Sequence, residues 1–106
     1  GVVFHAVRGC GAWMQDAAGG NVERAERSTR VNVSDVCDPM LGVFMESVES
    51  GHSSHALSAS VAAELGVKAP PVRMDSQAKY GVISRGEANL FMRFPRAGYI
   101  ENIWDH

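Results

Sequence analysis

Apolar residues recur along this chain in two rhythms, and the change from one to the other divides it. Residues 1–15, GVVFHAVRGCGAWMQ, mix small and β-branched side chains around a Gly-x-Gly break. That pattern predicts two short strands, or one bent strand with a bulge at Gly9 to Gly11. DAAGGN, 16–21, is a turn, and 21–30 reads as a charged, exposed segment. Val31-Asn32-Val33-Ser34 alternates like an edge strand, which Cys37-Asp38-Pro39 breaks because proline cannot donate to a ladder. Gly42 to Glu49 then reads as a strand whose far end turns polar.

After Ser50-Gly51 the rhythm becomes helical. Ser53 or Ser54 can cap, Leu57, Val61 and Leu65 recur on one face, and Gly66 stands where a helix end favours a left-handed residue. Pro70-Pro71 stops continuation, and Val72-Arg73-Met74 is a short strand ending at Asp75-Ser76. A second helix is expected from Gln77 to about Ser84, stopped near Gly86. Ala88 to Phe94 alternates as a strand, and Pro95 to Gly98 turns the chain. Strands and helices alternate in the second half, so the class is α/β.

Composition narrows the picture. With 106 residues, 45% of them hydrophobic and 21% charged, the chain is the size of one small globular domain. No apolar run is long enough to span a membrane, and no basic, then apolar start marks a signal peptide. The opening Gly1-Val2-Val3-Phe4 resembles the middle of a strand, so the sequence is expected to begin inside a longer protein. Cys10 and Cys37 show no metal-binding spacing, and reduced thiols are expected.

A net charge of −2 argues against a general nucleic-acid or anionic-membrane binder. Charge distribution says more. Residues 67–96 hold Lys68, Arg73, Lys79, Arg85, Arg93 and Arg96 against Asp75 and Glu87. Converging cations would suit a small, highly charged anion; spread out, they are an ordinary basic face.

Individual residues refine this. Ser76 stands where a strand gives way to a helix, as an N-cap would, and Lys79 falls in the first turn. A cation there is unfavourable beside the positive end of the helix unless an anion lies between them. The alternative is a lysine that snorkels into water. Arg93, on the polar side of its strand, either is solvated or reaches the same anion, which a guanidinium can grip in bidentate fashion. His52 and His55 form an H-x-x-H, but no third nitrogen or sulfur ligand is placed by pattern, so zinc is set aside. Asp105 by itself reads as a helix cap, since one carboxylate cannot build a magnesium site. Asp38-Pro39-Met40-Leu41-Gly42-Val43 reads as a connecting turn. Gly9 to Gly11 has no helix pattern behind it and is no dinucleotide loop.

GHSSH (51–55), GVKAPPVRMDSQAKYG (66–81), RGEANLFMRFP (85–95) and IWDH (103–106) together resemble the 3'(2'),5'-bisphosphate nucleotidases of the inositol monophosphatase-like superfamily, the plant branch above all. The resemblance implies a layered α/β sandwich of the sugar-phosphatase type, with residues 1–106 a single partial domain, the substrate-binding, C-terminal lobe. It implies that His52 lies against adenine, that Ser76 and Lys79 hold the 5'-phosphate, and that Arg93 completes this pocket. Asp105 would bind metal beside the scissile 3'-phosphate and so touch substrate as well. The implied reaction turns adenosine 3',5'-bisphosphate into AMP and phosphate, with 3'-phosphoadenylyl sulfate a further candidate substrate, depends on Mg2+ and is sensitive to lithium. The implied partner is a small-molecule nucleotide, with no nucleic acid and no membrane, and full-length members are typically monomers.

Departures set limits. The family's upstream glutamate and Asp-Pro-x-Asp-Gly-Thr metal loop are absent, as is the Ala-Ala-Gly that follows IWDH. Asn102 stands at a usually basic position, and Ile100 replaces a polar residue after Tyr99. No catalytic residue is therefore assigned within the chain, and it is expected to be inactive alone. An inositol polyphosphate 1-phosphatase and a non-catalytic nucleotide-binding remnant are the alternatives. The sequence names no compartment.

Overall fold

The glycines that interrupt the first apolar stretch fold it into a hairpin. In this computed structural model, which describes residues 1–17, 28–51, 54–95, 97–100 and 102–103, β1 (Val2–Val7) pairs antiparallel with β2 (Gly11–Asp16). Gly9, at φ +80°, takes a backbone conformation that a side chain would strain. The outcome is two strands, not one bent strand. The third strand, β3 (Thr29–Val31), pairs with β2. It ends where the edge strand was expected to begin, because the chain leaves the sheet after Val31. Most of the charged segment lies outside the described residues.

The second half builds a parallel sheet in the order β5-β4-β6. Its centre is β4 (Phe44–Glu46), flanked by β5 (Val72–Arg73) and β6 (Leu90–Phe91). Side chains shorten β4 relative to its expected span. The Asn89 amide oxygen accepts from the Val43 N–H at 2.9 Å and the Asp75 carboxylate from the Val48 N–H at 3.0 Å, so both ends trade ladder bonds for side-chain bonds. The strand expected over 88–94 also stops early. Past Phe91 the chain leaves the sheet, and the Phe94 carbonyl accepts from the Ser54 N–H. The turn at 38–42 is a single 3-10 turn, Pro39–Leu41, capped by Asp38.

Helix α1 (His55–Glu64) begins as expected, with the Ser54 hydroxyl accepting from the Leu57 N–H, and Gly66 closes it at φ +71°. Its apolar stripe does not face inward. Leu57 is 46% exposed and Leu65 38%, while Ser58 is buried. Small residues turn toward the sheet instead, and His55, Ser58, Ala59 and Ala62 join Phe44 and Glu46 around a cleft of about 340 Å³.

The other side of the sheet is filled. Met45, fully buried, packs with Val82 and Ala88, and Val43, Met74, Ile83 and Phe91 close around them. Val82 and Ile83 come from α2 (Ala78–Ser84). Neighbouring residues of a strand point to opposite faces, so Met45 meets α2 while Phe44 and Glu46 meet the α1 side. The hairpin sheet covers α2 from outside. A Cβ at Gly81 would come within 2.9 Å of the Phe4 ring, and one at Gly86 within 3.0 Å of the Asn32 carbonyl. The described residues thus form a small α/β domain with two α-helices and two sheets.

Candidate functional site

The site forms at the end of the parallel sheet where β5 passes into α2. Asp75, Ser76 and Gln77 make the connection, and Ser76 adopts φ +66°, a region that residues other than glycine seldom occupy. The helix itself starts at Ala78 with Gln77 at the cap position and no side-chain cap there. Ser76 sits one residue earlier than expected, yet its hydroxyl still accepts from the Ala78 N–H at 3.2 Å. It therefore shapes the loop more than it caps the helix.

Lys79 is 5% exposed, which overturns the reading of a lysine that snorkels into water. Its ammonium folds back and donates to the carbonyls of Met74 and Ser76, both at 3.0 Å. It also lies 5.5 Å from the centre of the Phe91 ring, a cation–π distance. Two of its three hydrogens are thus engaged by backbone, and the third remains to meet a further acceptor. Burial lowers the Lys79 pKa below the ordinary lysine value; the Asp75 carboxylate pulls it back up, and the Arg93 charge pushes it down again. A buried cation with a second cation in range is an arrangement that an anion would relieve.

Arg93 is half-buried and lies beyond β6, in the segment that has left the sheet. Its Nη2 donates to the Tyr99 hydroxyl at 2.8 Å, and its guanidinium carbon lies 5.3 Å from the ring centre. Ser76 meets Lys79 through its carbonyl, and Arg93 is near enough for its charge to act on Lys79. His52 and Asp105 lie outside the described residues, as does Arg96.

Arg73 and Arg85 are paired with carboxylates instead. Arg73 donates to the buried Glu46 carboxylate at 2.9 Å, and Arg85 to Glu87 at 2.6 Å, with its Nη1 against the Met14 sulfur. The pairing of Arg73 follows from the parallel register, which sets it opposite Glu46. Neither partnership is readable from charge counts.

Sequence reasoning also missed Asp75, Phe91 and Tyr99. Phe91 carried a signal, since residues two apart on a strand share a face and it precedes Arg93 by two. Tyr99 carried none, because a turn separates it from its partner. Among the described residues, no three His, Cys, Asp or Glu side chains group as metal ligands, and Cys10 and Cys37 are free, exposed thiols. No helix of the described residues is long and apolar enough to cross a membrane.

Sequence comparison with known proteins gives the chain its relatives. No family model matches the chain. The 3'(2'),5'-bisphosphate nucleotidase 1 of Arabidopsis thaliana is 49% identical over 106 residues, which is all of this chain and 29% of that protein. The 3'(2'),5'-bisphosphate nucleotidase of Oryza sativa is 43% identical over 106 residues, again the whole chain and 28% of the relative. That of Emericella nidulans is 43% identical over 107 residues, the whole chain and 30% of the relative. Along its entire length the chain is thus a relative of the 3'(2'),5'-bisphosphate nucleotidases, and it spans less than a third of theirs.

Proposed function

We propose that this chain forms the part of a phosphatase that grips the non-reacting 5'-phosphate of adenosine 3',5'-bisphosphate while the 3'-phosphate is removed. The observation that carries the reading is the buried Lys79 ammonium, fixed by two loop carbonyls within electrostatic range of Arg93. A phosphate bound there would take the remaining Lys79 hydrogen and accept from Arg93, and the low exposure would strengthen both bonds. The names of the relatives agree with that substrate class. The two sheets and two α-helices of the described residues suit one lobe of a larger layered sandwich.

In this reading the chain's residues bind and orient. Lys79 and Arg93 fix one end of the nucleotide, so that the other end meets the reacting groups in a constant position. His52 would contact the base. Magnesium belongs to the reading by resemblance, with Asp105 as its one candidate ligand here. The described residues do not fit a metal site, and no step is drawn through one.

Phosphate release from adenosine 3',5'-bisphosphate, followed with Mg2+ present and with or without lithium, tests the proposal. A protein of the relatives' full length that contains this chain should release phosphate and be inhibited by lithium, and the 106-residue chain alone should release none. Lithium-inhibited turnover by the 106 residues alone would contradict the assignment of binding without chemistry. No turnover by the longer protein would favour the non-catalytic remnant.

A further inference from the structure

The parallel pairing of β4 with β5 is continued past both strands by one backbone bond, and a side chain then ends it. In a parallel ladder, the residue that donates to one position of its neighbour accepts from the position two further along. The Met74 N–H donates to the Glu46 carbonyl at 3.0 Å, so the next ladder bond would run from the Val48 N–H to the Met74 carbonyl. Val48 donates instead to the Asp75 carboxylate, also at 3.0 Å. The Met74 carbonyl is taken up by the Lys79 ammonium, again at 3.0 Å.

The exchange matters because the two donors lie in different directions. A ladder carbonyl points at the neighbouring strand within the sheet, whereas Lys79 belongs to α2, which packs on one face of that sheet. A carbonyl aimed at Val48 is poorly aligned with an ammonium on that face. Satisfying the Val48 N–H from a side chain leaves no ladder donor unpaired and releases the carbonyl. One residue beyond Asp75, Ser76 takes φ +66° and gives Lys79 its second carbonyl. Asp75 thus stands between the two residues whose carbonyls hold the ammonium, and its own side chain ties them to the chain just past β4. Its charge also favours the protonated form of Lys79, an effect that a carboxylate there would have without any bond to Val48.

We infer that Asp75 is a positioning residue, whose side chain takes the Val48 N–H in place of the Met74 carbonyl and so leaves that carbonyl to fix the Lys79 ammonium for phosphate. The inference rests on the proposed 5'-phosphate seat and adds a residue to it. Asp75 need not touch the ligand, since it acts through Met74 and Lys79. Fixing the ammonium before binding lowers the ordering cost that each binding event would otherwise include.

The test is calorimetric titration of 5'-AMP and of adenosine into the full-length native protein and two variants of equal charge. Asp75→Asn removes the charge and keeps an oxygen that can accept from Val48, whereas Asp75→Ala removes both. Asp75 is exposed, so neither change opens a cavity, and adenosine binding reports whether each variant is folded. Asp75→Ala should bind 5'-AMP about two- to tenfold more weakly than Asp75→Asn, the range of one hydrogen bond, while the two bind adenosine alike. In a Lys79→Met background the difference between them should vanish, because the residue through which Asp75 acts is gone. Equal 5'-AMP affinities in the two variants, an equal loss for adenosine, or a difference that persists undiminished in Lys79→Met would overturn the inference and leave the seat standing. Were Lys79→Met to bind 5'-AMP as the native protein does, the seat itself would fail, and the inference with it.

Discussion

The two faces of the parallel sheet are built unlike each other. On the α2 face, Met45, Val82 and Ala88 close a small core, and the same helix carries Lys79 at its start. On the α1 face, small residues border an open cleft, two leucines point outward, and the buried Ser58 hydroxyl has no partner among the described residues. The lesson is that the candidate site depends on the packed face. Its loop is joined to the core through Met74, whose carbonyl holds the Lys79 ammonium and whose side chain packs beside Met45.

Substitutions can break this comparison. The largest effect is expected at Met45, where Met45→Ala should cost about 2–5 kcal/mol in denaturant unfolding and should weaken 5'-AMP along with the core. Next comes Gly81→Ala, whose new methyl would meet Phe4 at 2.9 Å. Overpacking there should cost about 1–3 kcal/mol, unless the hairpin shifts, which hydrogen exchange at β1 would reveal. Ser58→Ala is the counterpart on the open face. It removes a buried hydroxyl that forms no bond, so stability should stay within about 0.5 kcal/mol of the parent or rise. A loss as large as that of Met45→Ala would mean that the α1 face is as tightly determined as its opposite.

Lys79 sharpens the comparison through pH. Its pKa is lowered in the folded protein, chiefly by burial, so the unfolded chain holds this proton to higher pH than the folded one. The unfavourable contribution of the charged group is complete below the folded pKa. It fades as pH rises from there to the ordinary lysine value, so stability rises across that window. The phosphate grip should be lost over the same range, because a neutral amine attracts no anion. Lys79→Met should abolish both trends, as unfolding curves and 5'-AMP titrations at matched pH would show.

How much of this was legible depended on how local the cause was. The α1 cap at Ser54 and the left-handed Gly66 arise from neighbouring residues, and the pattern gave them directly. Lys79 was legible as an anomaly, a cation in a first turn. Its burial was not, because the carbonyls it meets belong to a loop in which Ser76 takes a left-handed conformation that the sequence does not signal. The alternation from Ala88 to Phe94 was real, yet only Leu90–Phe91 joins the sheet, since Phe94 is drawn to Ser54. Part of the basic surplus is likewise taken up by carboxylates, Arg73 by Glu46 through strand register and Arg85 by Glu87. The leucines of α1 followed helical spacing and still face outward, because periodicity gives a stripe and not its direction.

The central claim is that Lys79 and Arg93 read a phosphate and not the nucleoside attached to it. The most direct measurement is the ratio of 5'-AMP to adenosine affinity in the full-length native protein, compared with the same ratio in Lys79→Met. The account predicts that the native protein prefers 5'-AMP by about tenfold or more, as charge-assisted bonds of about 1.5–3 kcal/mol each imply, and that Lys79→Met removes most of this preference while adenosine binding is unchanged. A native ratio near one, or an unaltered ratio in Lys79→Met, would contradict it.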